Sequence, residues 1–172
     1  MWVRTAALLL LCCSVGLAAA AENRIAFPAG YTDDFSNYLS LDRTQNPDQV
    51  IRLFGNDKAL EGAGADGALA NGSVLVAEIY AARKDADGNV VTSDLGRRIK
   101  GPMAAIAVME KQPGWGEGRP QGLRTGDWDF AVFSPAGERL VDKDLNACRA
   151  CHAPLGDRDF VFSYEHLADG VR

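Results

Sequence analysis

Asn71-Gly72-Ser73-Val74-Leu75-Val76-Ala77-Glu78-Ile79-Tyr80-Ala81-Ala82 is the stretch that decides the fold class. Asn-Gly is a turn signal, because both residues tolerate backbone conformations closed to most others. The residues that follow are rich in Val, Ile and Tyr. Val74, Val76, Glu78 and Tyr80 alternate with Leu75, Ala77 and Ile79, which is the period of a strand rather than a helix. A sheet must therefore be built around this segment.

Downstream, Asp85-Ala86-Asp87-Gly88-Asn89 looks like the start of a calcium loop. It lacks a distal Glu at the right spacing and a flanking helix pair, so it reads as a hairpin turn. Arg97 to Lys111 carries Ile99, Met103, Ile106, Val108 and Met109, and predicts a strand from about Met103 to Glu110. Pro113 to Gly126 is a Gly- and Pro-dense loop containing Trp115. Asp127 to Phe133 then predicts another strand, with Trp128, Phe130 and Val132 on one face and Asp127, Asp129 and Ala131 on the other. Ser134-Pro135-Ala136-Gly137 closes it.

Upstream, Gly62 to Gly72 is a Gly- and Ala-rich connection. Gln49 to Phe54 predicts a strand with Val50, Arg52 and Phe54 on one face and Ile51 and Leu53 on the other. Arg52 is unusual among these apolar neighbours; it either extends to solvent from an edge strand or plays an inward polar role. Asn46-Pro47 is a breaker. Before it, Thr32 to about Asp42 predicts a helix with Phe35, Tyr38, Leu39 and Leu41 on its apolar face, capped by Thr32 or Asp33.

The first residues have a different character. Met1-Trp2-Val3-Arg4 is a short basic start, Ala6 to Leu17 is apolar, and Ala18 to Ala21 offers small-residue cleavage sites. Residues 1–21 are expected to be a secretory signal peptide, too short and wrongly flanked for a stable membrane span. A lipoprotein reading through Cys12 or Cys13 is weakened by the Leu before Cys12. Residues 22–172 are then expected to form a single exported, periplasmic domain whose only cysteines are Cys148 and Cys151. The full chain carries a formal net charge of −5 and no basic stripe, which argues against a nucleic-acid partner.

Those two cysteines lie in Cys148-Arg149-Ala150-Cys151-His152, within a segment from Asp142 to Ala153 that reads as helical. Two thiols three residues apart can add across the two vinyl groups of a haem, and the adjacent His can ligate its iron. The competing chemistries are a redox dithiol, half of a zinc site or a structural disulfide. A zinc site needs further ligands, and the only other His is His166. A redox dithiol belongs early in a βαβ pattern, whereas this motif follows a series of strands near the C-terminus. Phe160 to Tyr164 leads into a short final helix near His166. The sum is an α+β fold: a mostly antiparallel sheet with flanking helices around one covalently bound c-type haem.

Gln49 to Arg52, Asn71 to Glu78, Gly126-Asp127-Trp128-Asp129-Phe130, the Cys148 to His152 motif and Asp159 to Tyr164 together resemble the cytochrome P-460 family, over about Tyr31 to Leu167. The resemblance implies a homodimer of mostly antiparallel sheet with one haem c per chain, a five-coordinate iron and an open distal face. Members of that family oxidise hydroxylamine or, as the related beta-type cytochromes c-prime, bind nitric oxide. In the hydroxylamine-oxidising members a Lys in the strand after the Asn/Asp-Gly turn bonds to the haem edge; the matching residue here is Ala77, which has no amine. Lys84, near the hairpin turn, is read as a surface residue.

The expected roles follow. Cys148 and Cys151 hold the haem and His152 is the proximal iron ligand. Phe54, Ala77, Phe130 and Phe133 are candidate apolar walls of the haem pocket. Arg52, for a haem propionate or bound ligand, and Asp129, for proton transfer, are the candidate distal polar groups, with a solvated sheet face as the alternative for Asp129. Arg97 and Arg98 could pair with propionates or lie in a solvated turn. Met103 and Met109 are the sixth-ligand candidates of an electron carrier, although a Met in a strand is more often core. Two functions stay open. One is a cytochrome that binds nitric oxide or a related small diatomic or N-oxide ligand, or passes electrons to a soluble partner; the other is an oxidoreductase acting on hydroxylamine or nitric oxide.

Overall fold

The computed structural model describes residues 24–170; the expected signal peptide lies outside them. Five strands, β1 (Ser36–Asp42), β2 (Gln49–Gly55), β3 (Val74–Ala82), β4 (Lys100–Lys111) and β5 (Trp128–Phe133), form one sheet in sequence order, each antiparallel to the next. The helices are short: α1 (Tyr31–Asp34), α2 (Asp57–Leu60) and α3 (Leu145–His152), with 3₁₀ turns at Gln121–Leu123, Ala153–Arg158 and Tyr164–His166. Among the described residues no helix is long and apolar enough to cross a membrane. The α+β expectation holds.

One element differs. The helix expected from Thr32 to Asp42 is a single turn, α1, followed by strand β1. The cap is Gly30, with no side-chain bond, rather than Thr32 or Asp33. Helical spacing of Phe35, Tyr38, Leu39 and Leu41 is reproduced by a strand with a register shift between Asn37 and Leu39. Leu39 and Leu41 then pair with Leu53 and Ile51. Pairing β1 onto β2 supplies a full ladder that a lone helix would forgo, so tertiary context overrides the local pattern.

The Asp85 hairpin turn is present: the Asp85 carboxylate accepts from the Asp87 and Asn89 amides, and Lys84 bridges to Val90. Gly72 takes φ +84° in the turn before β3 and donates its amide to Lys111 O at 2.7 Å. A side chain there would be strained, so glycine is required.

The two sheet faces are covered differently. On one, Phe54, Val76, Ile106, Val108, Ala131 and Phe133 pack with Ile25 and Tyr31 into a sealed core. On the other, only the end bearing Leu75, Met109, Trp128 and Phe130 is closed, by Ala59, Leu69, Val161 and Leu167. Each large side chain so buried contributes ~1.5–3 kcal/mol. The rest of that second face is apolar but half-buried: Leu39, Leu41, Ile51, Leu53, Ala77, Ile79, Ala105, Ala107 and Val132.

Candidate haem site

Helix α3 is capped by Asp144, whose carboxylate accepts the Asn146 amide at 2.9 Å. Helical geometry puts Cys148, Cys151 and His152 on one side, at i, i+3 and i+4. The cysteines are not joined in a disulfide. Burial, chiefly, pushes the Cys148 thiol up, which keeps it as S–H rather than a metal-binding thiolate.

The His152 ring lies between Phe130, at 4.9 Å between centroids, and Phe162, at 5.0 Å edge-on. Its Nδ1 is 2.7 Å from the Phe160 carbonyl oxygen. Burial lowers the His152 pKa, and the charge of Arg43 adds to this, against the opposing pull of the Phe160 carbonyl. The ring is therefore neutral near pH 7. A carbonyl oxygen can only accept, so Nδ1 carries the proton and Nε2 keeps the lone pair needed to bind a metal.

Arg149 points the other way along α3 and is fully buried. Its Nη2 and Nε lie 2.8 and 3.3 Å from Asp129 Oδ1, and its Nη1 donates to Asn146 Oδ1 at 2.8 Å. Asp129 Oδ2 takes Arg24 Nε at 2.8 Å and Arg119 Nη2 at 2.9 Å. Thus one carboxylate ties the motif helix, the start of the described chain and the Pro113 to Gly126 loop to β5. The sequence assigns Arg149 no role beyond its place between the cysteines. The available signal was a cation on the helix side opposite both thiols.

The remaining candidates divide between the faces. Ala77 and Phe130 lie on the half-covered face, together with the His152 contact. Phe54 and Phe133 belong to the sealed core on the opposite face. Arg52 is there too: β2 is an interior strand, and Arg52 Nη1 lies 3.3 Å from Glu78 Oε2 and over the Phe54 ring. Glu78 also accepts from the Tyr31 and Tyr80 hydroxyls, both at 2.8 Å. Asp129 alternates onto the same side as Ala131 and is 1% exposed, so it is neither a solvated residue nor one with an oxygen spare to move protons.

Arg97 is half-exposed and pairs with Asp42, and Arg98 Nη1 donates to the carbonyls of Arg43, Asn46 and Gln49. Lys84 pairs with Asp48 at 3.0 Å on the surface. Met109 is buried beside Trp128 and Phe130, Met103 packs on the opposite core, and His166 is exposed.

These residues suit a haem. Cys148, Cys151 and His152 share one side of α3, two thiols to hold the macrocycle and one imidazole to ligate its iron. Ala77 and Ala107 are cross-strand partners and Ala105 pairs with Ile79, so the half-covered face carries small apolar side chains here. The family model for cytochrome P460 matches residues 28–163. No curated protein matches the chain.

Proposed function

Because the chain belongs to the cytochrome P460 family, and with it to proteins that carry a haem and its iron, we propose that it is an exported, periplasmic c-type cytochrome with one haem per chain and an open iron site. The site takes nitric oxide or a related small ligand, passes electrons to a soluble partner, or does both. The observation that carries this reading is Ala77, a methyl group where a reactive amine would be needed to alter the porphyrin. Lys84, held by Asp48 in the hairpin arm, offers no substitute.

When bound, the haem would supply a redox-active iron able to take a small ligand. The chain supplies the rest. Cys148 and Cys151 would hold the haem through thioethers, each thiol supplying the sulfur to one vinyl carbon and the hydrogen to the other. His152 offers Nε2, oriented by the Phe160 carbonyl. Leu53, Ala77, Ile79, Ala105, Ala107 and Phe130 exclude water from the haem-facing sheet. A homodimer would cover more of this half-buried apolar face.

Haem staining of a denaturing gel and the absorption spectrum of the ferrous protein test this. The wild-type band should stain, Cys148→Ala with Cys151→Ala should abolish the stain, and the spectrum should be that of an ordinary c-type haem. A stained double variant, or a red-shifted Soret band in the wild type, would contradict the proposal; the latter would favour hydroxylamine oxidation.

A further inference from the structure

The carbonyl that meets His152 comes from a strained turn. Asp159 and Phe160 have φ of 45° and 62°, and among the described residues they are the only non-glycines with positive φ. Two such residues in succession persist only where their surroundings hold them. The Asp159 carboxylate accepts from Lys111 Nζ at 3.0 and 2.8 Å and from the Leu69 amide at 2.9 Å. Both side chains of the ion pair are 9% exposed. The Phe160 ring sits over Gly126, where a Cβ would come within 2.8 Å of it. Phe160 N donates back to Leu155 O at 2.8 Å, closing the turn on the segment that follows α3.

We propose that Lys111 and Asp159 are positioning residues for the proximal histidine: their ion pair, anchored at the end of β4, holds the left-handed turn that aims the Phe160 carbonyl at His152 Nδ1. They act through the strength of the Nδ1–H bond, and a stronger bond makes the imidazole a better electron donor to iron. Lys111 is thereby assigned from a strand end that sequence reading treats only as the boundary of an apolar run.

This inference rests on the haem reading, and the two fail differently. Absence of covalent haem from the wild type would remove both. With haem attached, the iron–histidine stretching band of the ferrous protein, measured by resonance Raman, and the midpoint potential report on the clamp. Lys111→Met and Asp159→Asn should each lower the stretching frequency and raise the potential, whereas Lys111→Arg should restore values near wild type. Asp159→Gly removes the carboxylate while suiting the left-handed backbone, so it serves as the second variant where Asp159→Asn fails to fold, and it should show the same shifts. Haem-loaded Asp159→Gly and Lys111→Met with unchanged band and potential would overturn the assignment.

Discussion

Arg149 Nη2 lies 2.8 Å from Asp129 Oδ1, so a residue inside the Cys-X-X-Cys motif is bonded to the start of the sheet's last strand. The two thiols and the imidazole are thus held against β5 by their own helix. The pairing is unequal, because Asp129 also serves Arg24 and Arg119.

That inequality predicts an order of damage. Asp129→Ala strands three guanidinium groups near one another and should cost about 3–5 kcal/mol of unfolding free energy. Arg149→Met leaves Asp129 with two cations and a volume-filling side chain, so it should cost less. Urea unfolding of the haem-loaded variants measures both. Equal losses, or a larger loss for Arg149→Met, would show that the carboxylate is not the hub.

The tyrosines predict an alkaline limit. Burial, chiefly, raises the Tyr38 pKa to about 12, and burial with the Glu78 hydrogen bond raises those of Tyr31 and Tyr80. A folded-state pKa above the unfolded value of about 10 means that folding favours the protonated phenol. Its contribution is complete below pH ~10 and is lost as pH rises through the folded pKa. Ultraviolet difference titration should find these phenols un-ionised at pH ~11, with stability already falling from pH ~10 upward; all phenols ionising together near pH 10 in the folded protein would contradict this.

The sheet was legible where alternation and turn chemistry agreed, as from Asn71 to Ala82. Tyr38 misled because one bulge gives a strand the apolar spacing of a helix. The motif cysteines and His152 were legible because their spacing encodes chemistry. Lys111, Arg149 and Asp159 were not, because each matters through a partner distant in sequence: Asp159 for Lys111, Asp129 for Arg149. Arg52 and Asp129 were legible as unusual polar residues, but strand alternation alone does not say which face will be sealed.

Met109 is packed in the core, Met103 lies on the opposite side of the sheet, and His166 is exposed on its own turn. The open-site proposal expects none of them to ligate the iron. Met103→Leu, Met109→Leu and His166→Ala should leave the ferrous resonance Raman spectrum five-coordinate and unchanged. A six-coordinate signature in the wild type that vanishes in one of these variants would identify a second ligand and favour simple electron transfer.

The last prediction concerns Ala77. Its side chain is half-buried, with Ala107 directly across on β4 and Leu53 across on β2. An amine introduced there enters a weakly hydrated apolar surface, which lowers its pKa and leaves more of it as the neutral nucleophile. Ala77→Lys should therefore form a haem adduct detectable by mass spectrometry, shift the Soret band to the red and gain hydroxylamine turnover with a chemical oxidant. The wild type should bind nitric oxide in titration yet turn hydroxylamine over little or not at all. Sustained multiple turnover by the wild type would defeat this account, because its porphyrin would then be draining electrons from hydroxylamine without the amine. A haem adduct at Lys84 in that active wild type would locate the cross-link on the hairpin arm instead.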